Sequence, residues 1–408
     1  MAVSIKESVV AGFSDFWSRK VRSLVTILGI VLGTMSIIVV LSLVNGIYSS
    51  TTAWMSERGG LTKISIMRNW EYENDRNLPD YFTLQEVEEI KSLIPEAEAI
   101  NPQLDSWVQY TYQDKEFRGG IVGVYPEYAL VEEWTADRGR FIKDFDVNES
   151  SDVIVIGTRI RDELFGSKNP IGKFITTNER RLQVIGVMEH KFLKNNNAIG
   201  GENQLGWLNR RAFVPLSTMI YKGTGQNRIE EFTVKAASPD EAIPLKMKIE
   251  DILLNLRQGE PVFRVESNME NAEEMQKNFK TMRMIILFIS LVSLFVAGIV
   301  ISNIMLATIQ ERTREIGIRL AVGARRTDIF IQIIVQTILV FIVGGFLGVV
   351  IGLSLLDVVS GYLGQPIIAA QWVVVTAVAS TLTVGAITGI FPAVKASNLD
   401  PIKALRYE

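Results

Sequence analysis

The chain has 408 residues, 48% of them hydrophobic, and a formal net charge of −3. It has no cysteine and one histidine, His190, which excludes a disulfide framework, a thiolate metal site and a histidine cluster. The near-neutral total conceals a division: residues 46–281 carry 29 Lys+Arg against 37 Asp+Glu, a net of −8, while the rest of the chain is net +5.

Residues 5–21 place Ile5, Val9, Phe13, Phe16 and Trp17 at helical spacing, with Lys6, Arg19 and Lys20 elsewhere on the wheel. That pattern suits a helix lying on a membrane face, and it is assigned to residues 1–23. From Leu24 to Val44 there is no charge, a run long enough to cross a hydrocarbon core of about 30 Å. The run exceeds a signal-peptide apolar core and no small-residue cleavage site follows, so 24–45 is predicted as an uncleaved first membrane helix. Ile47, Thr51 and Trp54 extend it until Gly59-Gly60 stops it.

Residues 46–281 read as mixed α and β. Thr83 with Glu86 forms a capping box before a helix near 84–93. Asp152–Gly157, Leu182–Met188, Glu231–Ala236 and Pro261–Glu266 are predicted strands, and helices are expected before Gly166 and over 240–257. Loops are expected at 195–206 and 222–228. The run from Gly166 to Lys173 resembles a phosphate loop, but five residues separate Gly166 from Gly172, and Phe174 stands where Ser or Thr would meet magnesium. The sequence offers no nucleotide site, catalytic constellation or metal site, and His190 reads as a plain surface residue.

From Asn268 to about Gln310 no proline intervenes, which predicts one helix of about 60 Å. Ala272, Met275, Phe279 and Met282 repeat at spacings of 3, 4 and 3, the seam of a coiled coil. A stalk and a helix packed on the domain's own body are both compatible with that seam. Three further spans follow at 282–309, 329–356 and 367–394, with a loop at 310–328, a short outer connection at 357–366 and a tail at 395–408. The middles of all four spans lack Asp, Glu, Lys, Arg and His, so no ion pathway is visible. Gly29 and Gly33, Gly344, Gly348 and Gly352, and Gly385 and Gly389 recur every four residues. Such spacing permits close helix packing, within the chain or between subunits.

Basic residues concentrate before the first span, in the 310–328 loop and in the tail, and are absent from 357–366. The positive-inside rule then puts both termini and the 310–328 loop in the cytoplasm and 46–281 outside. The predicted fold is a membrane α-helical protein of four spans, with a large α+β extracytoplasmic domain inserted between helices 1 and 2 on a helical stalk.

The segment Ser302–Ile329, containing Glu311-Arg-Thr-Arg-Glu-Ile-Gly-Ile-Arg319, closely resembles the signature of MacB-type ABC permeases within the FtsX-like group. The tail from Phe391 to Glu408 and the opening Arg22–Ile30 are similar to that family too. By its own pattern the loop is a short charged helix or a solvated turn. Glu315 and Arg319 stand at i, i+4, and Gly323 ends the helix before Thr327 and Asp328 open the next. The resemblance implies a coupling helix that docks an ATPase subunit, using Glu311, Arg312, Arg314, Glu315, Gly317, Arg319, Gly323 and Arg325. It also implies a permease homodimer in the bacterial inner membrane that transmits ATP-driven motion outward along the stalk. The ATPase, with its ATP and magnesium, is expected on a separate polypeptide, with a periplasmic adaptor and outer-membrane duct as further partners and no nucleic acid. Export of a periplasmic substrate is the leading expectation. Regulation of an extracellular partner such as a cell-wall hydrolase, and lipoprotein extraction, are the alternatives.

Overall fold

The computed structural model describes residues 20–74, 76–177, 180–192, 203, 205–224, 227–363 and 367–405. The amphipathic stretch from Ile5 to Trp17, most of the loop expected at 195–206, residues 364–366 of the outer connection and the last three residues of the tail lie outside them. The chain divides into two compact units, Met1–Ile47 with Asn278–Glu408, and Tyr48–Lys277.

The unit Tyr48–Lys277 is built on ten strands: β1 Lys63–Arg68, β2 Ala97–Tyr112, β3 Lys115–Val124, β4 Ala136–Gly139, β5 Val153–Ile156, β6 Phe174–Thr177, β7 Arg180–Met188, β8 Arg211–Pro215, β9 Glu231–Ala236 and β10 Phe263–Ser267. They form one sheet in the order β10-β1-β9-β2-β3-β8-β5-β7-β4, with β6 pairing β2 and β7. β3 with β8 and β5 with β7 are parallel, and the other pairs are antiparallel.

Helix α1, Lys20–Ser56, leads into this unit. It stops where Gly59 and Gly60 take φ of +83° and +66°, and a Cβ at Gly59 would lie 2.4 Å from the Val131 carbonyl oxygen. Only glycine is free of strain at that turn. Lys191, 7% exposed, donates from Nζ to the Glu57 carbonyl at 2.8 Å and the Glu133 carbonyl at 3.3 Å, satisfying the end of the helix.

Helix α2, Leu84–Leu93, opens with the predicted capping box: Thr83 Oγ1 accepts from the Glu86 amide at 3.2 Å, and Glu86 Oε2 accepts from the Thr83 amide at 2.8 Å. Glu86 also receives Arg257 Nη1 at 2.8 Å. Burial pushes the Glu86 carboxyl up, but the bonds from Arg257 and Thr83 outweigh it and hold the group below the ordinary glutamate range. Helix α3, Thr158–Phe165, and helix α4, Pro239–Leu256, complete the unit's longer helices. The main apolar core lies between one sheet face and α2, α3 and α4, with Phe82 stacked on Phe263 at 3.9 Å and edge-on to Phe232 at 5.0 Å. A second core, around Trp134, Tyr128 and Phe213, fills the other face.

The run that resembles a phosphate loop is a connection. Gly166 closes α3 at φ +58°, and the Gly172 amide, at φ +79°, donates to Val184 O at 2.8 Å. His190 is exposed, with Nδ1 2.7 Å from Thr158 Oγ1.

Helix α5, Asn268–Glu311, runs unbroken for 44 residues. Then come α6 Thr313–Ala321, α7 Arg326–Leu363, α8 Gln371–Ser397 and α9 Pro401–Leu405. Among the described residues four helices, α1, α5, α7 and α8, are long and apolar enough to cross a membrane. Several boundaries differ from the sequence reading: α7 begins at Arg326 and α8 ends at Ser397, beyond the expected spans, and residues 222–224, expected in a loop, belong to a π-helix, Thr218–Thr224. α7 continues through residues expected in the outer connection, to Leu363. α8 begins at Gln371 rather than Ile367, whose amide donates to Ser360 Oγ at 2.9 Å and whose side chain is buried.

Candidate functional site

The 310–328 segment is ordered by its own packing. α5 ends at Glu311, Arg312 departs from helical geometry at φ −102° and ψ 12°, and α6 starts at once. Thr313 Oγ1 bridges the break by donating to Ile309 O at 3.0 Å and Gln310 O at 2.8 Å. Ile316 turns inward to join Ile309, Ile329, Ile333, Ala393 and Ala396 in a buried cluster. Gly317 is buried against α9, where a Cβ would stand 2.6 Å from the Ala404 Cβ. Gly323 takes φ +105° and ends the segment, and Asp328 Oδ2 accepts from the Arg325 amide at 3.1 Å at the start of α7.

One face of α6 is therefore pinned to the chain's own helices. The other carries Arg314, Glu315 and Arg319, all exposed, with Ile318 at 46% and Val322 at 84% exposure among them.

The eight residues singled out in this segment thus separate. Arg314, Glu315 and Arg325 are exposed; Glu311 is exposed at the helix end and Arg312 is half-buried at the break. Gly317 and Gly323 shape the segment from within. The ion pair expected between Glu315 and Arg319 is absent among the described residues. Arg319 Nη1 donates instead to Gln332 Oε1 of α7 at 2.9 Å, because a buried amide across the bend competes with an exposed carboxylate one turn away. Sequence reasoning missed Ile318 and Val322; their signal was an apolar pair four residues apart on the side opposite Ile316.

The seven membrane glycines all stand at contacts within the chain. A Cβ at Gly29 or Gly33 would meet Ala297 at 3.0 Å or Leu294 at 2.9 Å. One at Gly344, Gly348 or Gly352 would meet Ile30 at 2.9 Å, Thr34 at 2.7 Å or Ile38 at 3.3 Å. At Gly385 and Gly389 the neighbours are Phe341 at 2.6 Å and Thr337 at 3.0 Å. Thr34 and Thr381 add a hydroxyl pair 2.9 Å apart between α1 and α8. Of the proposed seam, Ala272, Met275 and Phe279 are half-buried and Met282 is 48% exposed. Among the described residues no cluster of three or more metal-ligating side chains occurs.

Comparison with known proteins follows this division. The profile of the MacB-like periplasmic core domain matches residues 23–252, more than half of the chain, and that of the FtsX-like permease C-terminal region matches 287–401. The chain belongs to the MacB-like family of ABC-transporter permeases. This MacB-like chain is 31% identical over 411 residues to the macrolide export ATP-binding/permease protein MacB of Bdellovibrio bacteriovorus, covering 98% of itself and 62% of that relative. It is 31% identical over 406 residues to the pyoverdine export ATP-binding/permease protein PvdT of Pseudomonas fluorescens, with coverage of 98% and 59%. It thus spans about three fifths of the length of these curated relatives. Among solved structures, the periplasmic region of MacB from Actinobacillus actinomycetemcomitans aligns with a TM-score of 0.45 at 20% identity, covering 54% of this chain and 95% of that one.

Proposed function

We propose that this MacB-like permease converts ATP-driven motion on the cytoplasmic side into work by its Tyr48–Lys277 unit on an exported substrate. The lysine and arginine bias supports cytoplasmic termini, a cytoplasmic 310–328 segment and an external 46–281 domain, in a multi-pass protein of the bacterial inner membrane. ATP binding and hydrolysis belong to a partner outside these residues, and two copies of the chain form the permease. The relatives named for macrolide and pyoverdine export support export as the outcome, with the substrate class unassigned.

The observation that carries the reading is the face of α6. Arg314, Glu315, Ile318, Arg319 and Val322 are presented outward on a helix whose opposite side is held by Ile316 and Gly317. A partner pushing on that face moves α5, α7 and α9 together, because α6 has little freedom to move alone. Charged groups around an apolar centre supply orientation and contact energy together.

The test is co-purification of the ATPase partner, with its hydrolysis rate and export scored together. Val322→Asp and the pair Arg314→Ala with Glu315→Ala are expected to reduce partner binding at least about tenfold, close to 1.4 kcal/mol, with the melting of the permease unchanged. Wild-type binding and export in both variants would reduce the segment to a connecting turn.

A further inference from the structure

The unit Tyr48–Lys277 contains a cavity that coupling does not use. It opens between the sheet and the seven-residue π-helix Thr218–Thr224, and its volume is about 180 Å³. Its floor is Val108 of β2, Ile121 of β3, Leu182 of β7 and Val214 of β8, all part of the main core. Its rim carries Arg180 and Lys222, and Ser106, Thr177 and Thr218 bring hydroxyls to its wall. An apolar cavity of roughly 150 Å³ is known to hold a benzene-sized guest, so the space suits one large apolar side chain or its equivalent.

Two independent features mark this as a site rather than a packing gap. The first is its wall. π-helical turns are rare and concentrate at functional positions, and this one is locked in place: a Cβ at Gly123 would lie 2.7 Å from Met219 Cβ, and Thr218 Oγ1 donates to Ser151 O at 2.9 Å. The locked π-helix delivers Lys222 to the mouth and puts Gly223, with no side chain, beside it.

The second is charge. Lys222 Nζ donates to Ser150 O at 2.5 Å and lies 3.3 Å from Asp152 Oδ2, while Arg180 Nη1 lies 3.7 Å from Asp152 Oδ1. Two cations share one carboxylate at the rim, so the mouth keeps a net positive charge. Arg180 and Lys222 retain donors directed to solvent, with 44% and 33% of their side chains exposed. A guest that fits an apolar floor and a cationic mouth has an apolar body and an anionic end.

We propose that this cavity binds a carboxylate attached to an apolar group the size of a leucine or phenylalanine side chain. The carboxylate sits between Arg180 and Lys222, and the apolar group rests on Val108, Ile121, Leu182 and Val214. Such chemistry is presented by the C-terminal residue of a peptide and by a free arylalkanoic acid. The site stands whether or not α6 docks an ATPase.

The experiment uses the full chain in lipid nanodiscs and two probes, 3-phenylpropanoate and the tripeptide acetyl-Ala-Ala-Phe with a free C-terminus. Titration by ligand-observed NMR is expected to show saturable binding of at least one probe with Kd at or below about 1 mM. The matching alcohol and peptide amide should bind at least tenfold more weakly. Tighter binding of the tripeptide identifies a peptide terminus as the natural guest, and equal or tighter binding of 3-phenylpropanoate identifies a small acid; either supports the site. Arg180→Gln with Lys222→Gln should erase the preference for acid over amide and leave thermal unfolding unchanged. Val214→Phe, which fills the floor, should abolish binding. Where that variant melts early, Gly223→Leu at the mouth provides the same block without touching the core. The proposal is overturned if neither acid saturates, if the amide and alcohol bind as well as the acids, or if binding survives both blocking variants.

Discussion

Lys191→Met tests whether the end of α1 is held to the unit it enters. The ammonium makes two bonds to main-chain carbonyls, at Glu57 and Glu133, and lies 3.6 Å from the Glu57 carboxylate. Methionine keeps the stem's packing and removes the charge. Each lost bond to a charged donor costs about 1.5–3 kcal/mol, and the desolvation of the ammonium, no longer needed, returns part of that. Glu57 keeps 19% of its side chain exposed and recovers some hydration, so a net loss of about 2–3 kcal/mol follows. For a unit of this size each kcal/mol lowers the melting point by about 2–4 °C, which predicts a fall of about 4–12 °C. Trp134, whose ring centre lies 6.0 Å from Nζ, supplies the fluorescence signal. Lys248→Met, at an exposed ion pair with Glu96, serves as control and should move the midpoint by no more than about 1 °C. A Lys191→Met midpoint within about 2 °C of wild type would refute the argument that this lysine holds the helix end.

Two further outcomes are expected. Gly298→Ala drives a Cβ to 2.5 Å from Thr388 Cγ2, and Thr388 is itself bonded to Val384 O at 2.8 Å, so the membrane helices should lose about 1–3 kcal/mol in a detergent unfolding assay. Gly361→Ala, with nothing within 4 Å, should cost nothing. Glu86 has a folded pKa below its ordinary value, so its contribution to stability is complete above about pH 4.5 and is lost as the pH falls through the depressed value. Glu86→Gln should therefore be less stable than wild type at neutral pH, with the difference shrinking toward pH 3 in pH-resolved melts; a difference independent of pH contradicts the assignment.

The sequence exposed its local signals and concealed its long-range ones. Thr83 with Glu86 opens α2, the run Asp152–Gly157 contains β5, and Glu231–Ala236 is β9, because each depends on neighbours a few residues away. β2 stayed hidden: Pro102 lies within it, Asn101 and Gln103 are buried on it, and the register shifts between Ala97 and Ala99. None of these reads as an alternating strand. β1 pairs with β9 and β10, each over 160 residues away, a pairing no window along the chain can display. At the proposed coupling segment the helix and its glycine stop were legible. The partner of Arg319 was not, because Gln332 reaches it only once α6 has folded back on α7.

The order of the strands bears on the proposed coupling. α1 feeds β1 through Gly59-Gly60, and β10 runs without a break into α5. β1 and β10 are antiparallel neighbours, with Ile64 opposite Ser267 and Arg68 opposite Phe263. Asn268 Nδ2 donates to Gly60 O at 2.8 Å, so the exit of one helix is bonded to the start of the other. Lys246 adds an ion pair from α4 to Glu270 at 3.3 Å. Under the proposed coupling, displacements along α1 and α5 reach this unit at adjacent points on the same strand pair. Equal displacements carry the sheet as a body and break no bond. Unequal ones shear the β1–β10 ladder, and each ladder bond lost costs about 1 kcal/mol net. The fold therefore favours the two helices acting on the sheet together, and the pinning by Lys191 and Asn268 extends that preference to the residues where each helix ends or begins.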